Sequence, residues 1–228
     1  MLTVACVHWG TKFELDYVYN LKSAIERNTT VPHNFIVFSD KPVAKIPTIT
    51  LKPGLEGWWN KLQLFDISRL PKTKRMVYFD LDTLITGNID FLMNYNGKFM
   101  GIEDVGAVNP HQRHLQNVMQ SGVMAWDYFQ NAWIWQRFAN SPEILSKFRG
   151  DGELLNAAMS PITRDLLQHH FPGKLKSYKY QVYPNKPDPK TSIVCFHGRP
   201  SIIEAQNEAV KTPMKIYEPV DWIKEYWR

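Results

Sequence analysis

The chain has 228 residues, 44% of them hydrophobic, enough for one packed core, and no apolar run long enough to form a membrane-spanning helix. Its net charge of +5 leaves room for an anionic ligand but does not select nucleic acid, which is not expected as a partner. The start, MLTVACVHWG, lacks a basic stretch followed by an apolar one, so no signal peptide is expected, and Cys6 and Cys195 sit in apolar runs as reduced, buried thiols of a cytoplasmic protein would.

Taken in order, residues 2–7 read as a buried strand and residues 13–27 as a helix, with Leu15, Val18, Leu21 and Ile25 at helical spacing. Residues 34–38 and 46–51 are two further strands, each ended by a turn signal. Residues 58–70 carry helical periodicity through Trp58, Leu62 and Phe65, closed by Pro71. Arg75–Phe79 is a strand. Strands alternating with helices over short connections predict an α/β fold with a mixed, mostly parallel sheet flanked by helices. Later, residues 98–102 and 122–126 read as strands, 132–148 as helix interrupted at Ser141-Pro142, and 152–159 and 162–170 as short helices. Residues 177–190 read as an extended loop and 192–196 as a last strand. The tail, 221–228, sets Trp222, Tyr226 and Trp227 among charges; it either packs back on the body or rests on a membrane surface. No linker or repeat divides the chain, which reads as a single domain over residues 1–228.

Residues 77–90, VYFDLDTLITGNID, place Asp80 and Asp82 at the carboxyl end of a strand, where open α/β sheets bind ligands. If extended backbone continues, both carboxylates face one site, and two like charges so close call for a cation. Oxygen ligands in an incomplete shell suit Mg²⁺ or Mn²⁺, with phosphate and water filling the rest. A rival reading is a haloacid-dehalogenase-type phosphatase, whose first motif resembles FDLDGTL. Here Leu84 stands where that motif needs threonine, the string follows at least three predicted strands, and no matching later motif is present.

Four pieces resemble glycosyltransferases of the GT-A fold, in particular glycogenin-like family 8 enzymes and their short bacterial and phage relatives. They are Trp58-Trp59-Asn60-Lys61-Leu62, the segment 78–92 around the D-x-D, Gln120-Ser121-Gly122-Val123-Met124, and Phe196-His197-Gly198-Arg199-Pro200. The resemblance implies a nucleotide-sugar donor, most often a UDP-sugar, bound by a part of about residues 1–105. The acceptor side and a C-terminal metal ligand would lie in about residues 106–228. Val7, His8 and Trp9 would lie against the nucleotide, beside Leu81, although His8 and Trp9 read equally well as loop packing. Asp80, Asp82 and His197 would bind Mn²⁺ or Mg²⁺. Gly198 would let backbone approach the phosphates, and Arg199, where the family has lysine, would grip their oxygens.

The resemblance further implies that Lys61 neutralises donor charge or contacts the sugar, against the plain reading of a solvent-facing helix lysine. Asp104 and Asp151 become the carboxylates nearest the donor sugar, and the reaction becomes one of retention with no named nucleophile. Asp151-Gly152-Glu153-Leu154-Leu155-Asn156 resembles the family's D-Q-D-x-x-N, but glycine stands for glutamine and Glu153 for the second aspartate. Gln120 likewise stands for asparagine. The loss of that glutamine leaves open a degenerate protein that binds nucleotide-sugar without turnover. Of the eight tryptophans, Trp126 is expected in the core and Trp58 and Trp59 beside donor or acceptor. A glycan, a lipid-linked sugar or a protein all remain open as acceptor.

Overall fold

A computed structural model of the chain describes every residue except Pro71, Asn140 and Met214; the helix stop read at Pro71 therefore lies outside the described residues. In chain order the first elements are β1 (Leu2–His8), α1 (Asp16–Arg27), β2 (Asn34–Ser39), β3 (Thr48–Thr50), β4 (Arg75–Phe79), β5 (Thr83–Ile85), α2 (Asp90–Met93), β6 (Phe99–Glu103) and β7 (Met119–Asp127). There follow α3 (Pro142–Leu145), α4 (Asp151–Ala158), β8 (Arg164–Leu166), α5 (Leu167–His170), β9 (Leu175–Ser177), β10 (Ile193–Cys195), α6 (Ile202–Asn207), β11 (Val210–Lys211) and β12 (Ile216–Tyr217).

Seven strands form the main sheet in the order β3-β2-β1-β4-β7-β6-β8. β1 pairs in parallel with β2 (Val4 opposite Phe35) and with β4 (Val4 opposite Val77). β7 is antiparallel to both its neighbours, β4 and β6. The sheet is thus mixed and mostly parallel, as the alternation of strands and helices predicts. It is buried on both faces, which is why its strands read as unbroken apolar runs. Val4, Cys6, Val77, Phe79, Val123 and Ala125 pack on one face with α1; Ala5, Met76, Tyr78, Met124 and Trp126 pack on the other. Trp126 is fully buried, as expected, and Cys6 and Cys195 are buried free thiols.

A second sheet, β5-β10-β9, matters more for chemistry. β5 begins one residue after Asp82 and runs antiparallel to β10, with Cys195 opposite Thr83. β9 lies parallel to β10, with Ser177 opposite Cys195. The Phe196 amide then donates to the Asp82 carbonyl at 3.0 Å. Three segments far apart in sequence, ending at Asp82, Ser177 and Phe196, are so drawn to one edge.

Several elements depart from the sequence reading. Residues 58–70 form two 3-10 stretches, Gly57–Phe65 and Ile67–Arg69, rather than an α-helix. Asn60, Lys61 and Gln63 are buried there beside Leu62 and Leu64, so no clean apolar stripe exists to lay on the sheet. The helix expected over 162–170 opens as strand β8, because Phe99 pairs with Arg164 in register. The Arg164 guanidinium donates to the carbonyls of Asn117, Asn156 and Met159, which ties that strand down. Within 132–148 the described helical turns are Trp135–Ala139 and α3. The loop at 177–190 contains a wide turn, Tyr178–Val182, entered where Ser177 Oγ accepts the Tyr180 amide at 3.3 Å. The tail packs back: Trp227 is buried, its ring 5.0 Å from that of Tyr17, so the membrane-facing alternative loses its main aromatic.

Candidate active site

Asp80 follows the last residue of β4, and its amide donates to the Gly122 carbonyl at 2.8 Å, extending the β4–β7 ladder by one bond. The extended backbone assumed for the D-x-D does not continue. The chain turns at once, the Thr83 amide donating to the Asp80 carbonyl at 3.1 Å, and Leu81 drops into the core. Both carboxylates stay near one another through that turn.

Lys61 is the anchor of the site. Its Nζ lies 2.8 Å from Asp80 Oδ1, 3.0 Å from Asp80 Oδ2, 3.1 Å from Asp151 Oδ2 and 3.2 Å from Ser121 Oγ. It is 8% exposed, so the solvent-facing reading does not hold. Burial alone would depress its pKa; the charges of Asp151 and Asp80 outweigh burial and hold it above the usual lysine value. Tyr78 Oη donates to Asp80 Oδ1 at 2.5 Å, and Ser121 Oγ donates to Asp151 Oδ2. The 3-10 stretch before β4, β7 and the first turn of α4 thus meet through one ammonium group. The sequence selects Lys61, Asp80 and Asp151 separately; Tyr78 and Ser121, whose hydroxyls complete the network, lie within two of the four motif pieces but are not singled out there as site residues.

Asp82 is different. Burial and the neighbouring charge of Asp80 push its carboxyl up to about 7, against the opposing pull of Lys12 and Lys61. Asp80 is ion-paired with Lys61, whereas Asp82 has no ion pair among the described residues; a carboxylate so placed fits a divalent cation that takes its remaining ligands from phosphate and water. A third protein ligand is not gathered: among the described residues no group of three His, Cys, Asp or Glu side chains stands close enough to hold a metal. His197, expected in that role, turns its Nε2 to Ser177 Oγ at 2.8 Å and lays its ring on Tyr180, centroids 5.5 Å apart. Burial first, then the charge of Lys179, lowers its pKa to about 4, so its imidazole is neutral at physiological pH.

Asp104 closes the far side. Its Oδ1 accepts the Gly106 amide at 2.7 Å and its Oδ2 accepts Gln120 Nε2 at 2.8 Å. Gln120 lies over Gly152, where a Cβ would overlap its Oε1. Asn156 Oδ1 accepts the Met119 amide at 2.8 Å and so fastens α4 to β7. Glu153 is exposed, bonded to Arg149 instead of the site.

On the nucleotide side, Val7 packs partly into the core and Trp9 is 39% exposed beyond the end of β1. His8 is buried, with Nε2 2.9 Å from the Phe13 carbonyl and Nδ1 3.4 Å from Ser39 Oγ, so both ring nitrogens are engaged by the protein. Gly198 has φ +69°, open to glycine at no steric cost. Arg199 is drawn outward: its side chain is 65% exposed and pairs with Glu204 through Nη2 at 2.5 Å and Nε at 2.8 Å. Trp58 and Trp59 line a cleft of about 420 Å³ with Leu145, Phe148 and Arg149. Trp58 lies against Gly150, directly before Asp151, which sets that cleft beside the carboxylates.

No protein family and no curated protein matches the sequence. Solved structures do match the fold. The galactosyltransferase LgtC, in complex with donor and acceptor sugar analogs, superposes with a TM-score of 0.66 at 11% identity over 88% of both chains. The glycosyltransferase GlyE of Streptococcus pneumoniae TIGR4 gives 0.63 at 11% identity, over 89% of this chain and 56% of that one. Mouse xyloside xylosyltransferase 1 gives 0.56 at 14% identity, over 86% and 97%. The chain therefore has the GT-A fold, as its four short motifs imply. No helix among the described residues is long and apolar enough to cross a membrane.

Proposed function

We propose that this protein is a glycosyltransferase that moves a sugar from a nucleotide-sugar donor, a UDP-sugar, to a glycan, lipid-linked or protein acceptor with retention at the anomeric carbon. One observation carries the reading: an Asp80–Asp82 pair lies beyond the carboxyl end of a central parallel strand, locked to a buried lysine on one side and short of counter-charge on the other. The likeness of fold to sugar-transferring enzymes supports it.

In this reading Asp80 and Asp82 hold a Mn²⁺ or Mg²⁺ ion, which would offset the charge that builds on the departing diphosphate. The protein's own part is positional and electrostatic. Lys61 fixes Asp80 and Asp151 in one geometry, so neither carboxylate must reorganise as charge develops. Asp104, held by two hydrogen bonds, and Asp151 supply the negative field that positive charge at the anomeric carbon requires. Trp9 is free to meet the base, and the cleft beside Trp58 and Trp59 is a stacking surface for an acceptor sugar.

The test is thermal stability with UDP, GDP, CDP or ADP, each with and without Mn²⁺. A ligand at about 100 times its dissociation constant adds about 2.7 kcal/mol, worth about 5–10 °C for a chain of this size. The expected result is a shift with UDP that needs Mn²⁺ and disappears in Asp82→Asn. A shift with another nucleotide keeps the chemistry and changes the donor; no shift with any of them overturns the reading.

A further inference from the structure

The C-terminal motif offers Arg199 to a diphosphate, yet Arg199 is bound to Glu204 and faces solvent. A second cation stands where the first is missing. Lys179 Nζ lies 3.5 Å from the point a Cβ on Gly198 would occupy, and no other described residue beyond the chain neighbours comes within 4 Å of that point. Lys179 is half-buried, and among the described residues its ammonium group has neither a hydrogen bond nor an ion pair.

Its placement is built rather than incidental. Lys179 rides the turn Tyr178–Val182 that follows β9, and three contacts fix the turn: Ser177 Oγ with the Tyr180 amide, Ser177 Oγ with His197 Nε2, and the Tyr180 ring on the His197 ring. Parallel pairing of β9 with β10 sets Ser177 opposite Cys195. The Phe196 amide joins that edge to the Asp82 carbonyl. The unpaired ammonium therefore stands above Gly198, on the side of the crevice where Asp82 lies. At φ +69° position 198 favours glycine, which also lets the backbone approach a ligand beneath that ammonium group.

We propose that Lys179, not Arg199, is the cation that receives the diphosphate of the nucleotide-sugar, with Gly198 as the floor of that subsite and His197 as the support that holds the turn. The inference rests on the glycosyltransferase reading and adds to it a residue outside the four motifs. An ammonium is a point charge suited to phosphate oxygens.

Calorimetric titration of UDP, UMP and uridine in the presence of Mn²⁺ tests it on the wild type, Lys179→Met, Lys179→Arg and Arg199→Met. Lys179→Met should weaken UDP by about tenfold or more, as loss of a charge-assisted bond does, and leave uridine within about twofold. Lys179→Arg should recover most of the UDP affinity because it restores the charge, and Arg199→Met should bind UDP like the wild type. If Lys179→Met binds UDP unchanged, or if Arg199→Met takes the loss instead, the assignment is overturned while the enzyme reading stands. If wild type binds none of UDP, GDP, CDP or ADP, both fall together.

Discussion

At the scale of single residues, the pair Gln120 and Gly152 shows how two departures from a family pattern answer one another. Gln120 is one methylene longer than asparagine, and its Oε1 occupies the space where a Cβ at 152 would sit. Its other amide atom holds Asp104 at 2.8 Å. Gly152→Ala should therefore act through Gln120. The clash falls on the end of a flexible side chain, so the fold survives, and alanine within α4 returns about 0.5–1 kcal/mol of helix propensity. The expected outcome is an unchanged or slightly raised melting temperature with transfer activity reduced about tenfold or more, from a hydrogen bond to a charged group lost at Asp104. Parallel loss of stability and activity would show that Gly152 is merely packed. The residue types of this site were legible beforehand, because a D-x-D at a strand end and a nearby lysine write a charge pattern. Their partners were not: Ser121 and Lys179 come to the site only through tertiary pairing of distant segments, and Tyr78, two residues before Asp80, reads as one more apolar strand residue.

At the scale of elements, α6 carries a capping box that explains the outward turn of Arg199. Ser201 Oγ accepts the Glu204 amide at 3.3 Å, Glu204 Oε2 accepts the Ser201 amide at 2.7 Å, and the remaining Glu204 oxygen takes the arginine. One carboxylate so serves a helix end and a guanidinium together. Ser201→Ala should cost about 1 kcal/mol of stability, read as a lower urea midpoint at constant slope, with UDP affinity unchanged. A fall in UDP affinity would tie Arg199 and its partner to the donor after all. The strands of the main sheet were readable because burial on both faces leaves apolar runs. Residues 58–70 misled because the same apolar spacing is shared by buried polar side chains, which a 3-10 path tolerates and an amphipathic helix does not. At β8, pairing with β6 overrode local preference, which no window of sequence reports.

At the scale of the whole molecule, the chain closes on itself through its last turn. Trp227 is 8% exposed and packs on Tyr17 of α1, the helix that covers one face of the main sheet. Arg27, at the end of α1, donates to the carbonyls of Tyr226 at 2.9 Å and Arg228 at 2.6 Å. Ile223 is fully buried in the same cluster as Val4 and Cys6, so the tail shares a core with the first strand. Trp227→Ala removes an indole from that core and should cost about 3 kcal/mol, the lower end for a large aromatic because one edge remains near solvent. Urea unfolding should show the loss as a lower midpoint at constant slope, and binding to anionic lipid vesicles should be as absent in the wild type as in the variant. The two roles once open to the tail separate cleanly here. A tail that meets a membrane surface would lose vesicle binding and keep its stability, because its indole would already be in contact with solvent or lipid in the isolated protein. A tail that belongs to the core does the reverse, since the cavity left behind opens against α1 and the strands beneath it.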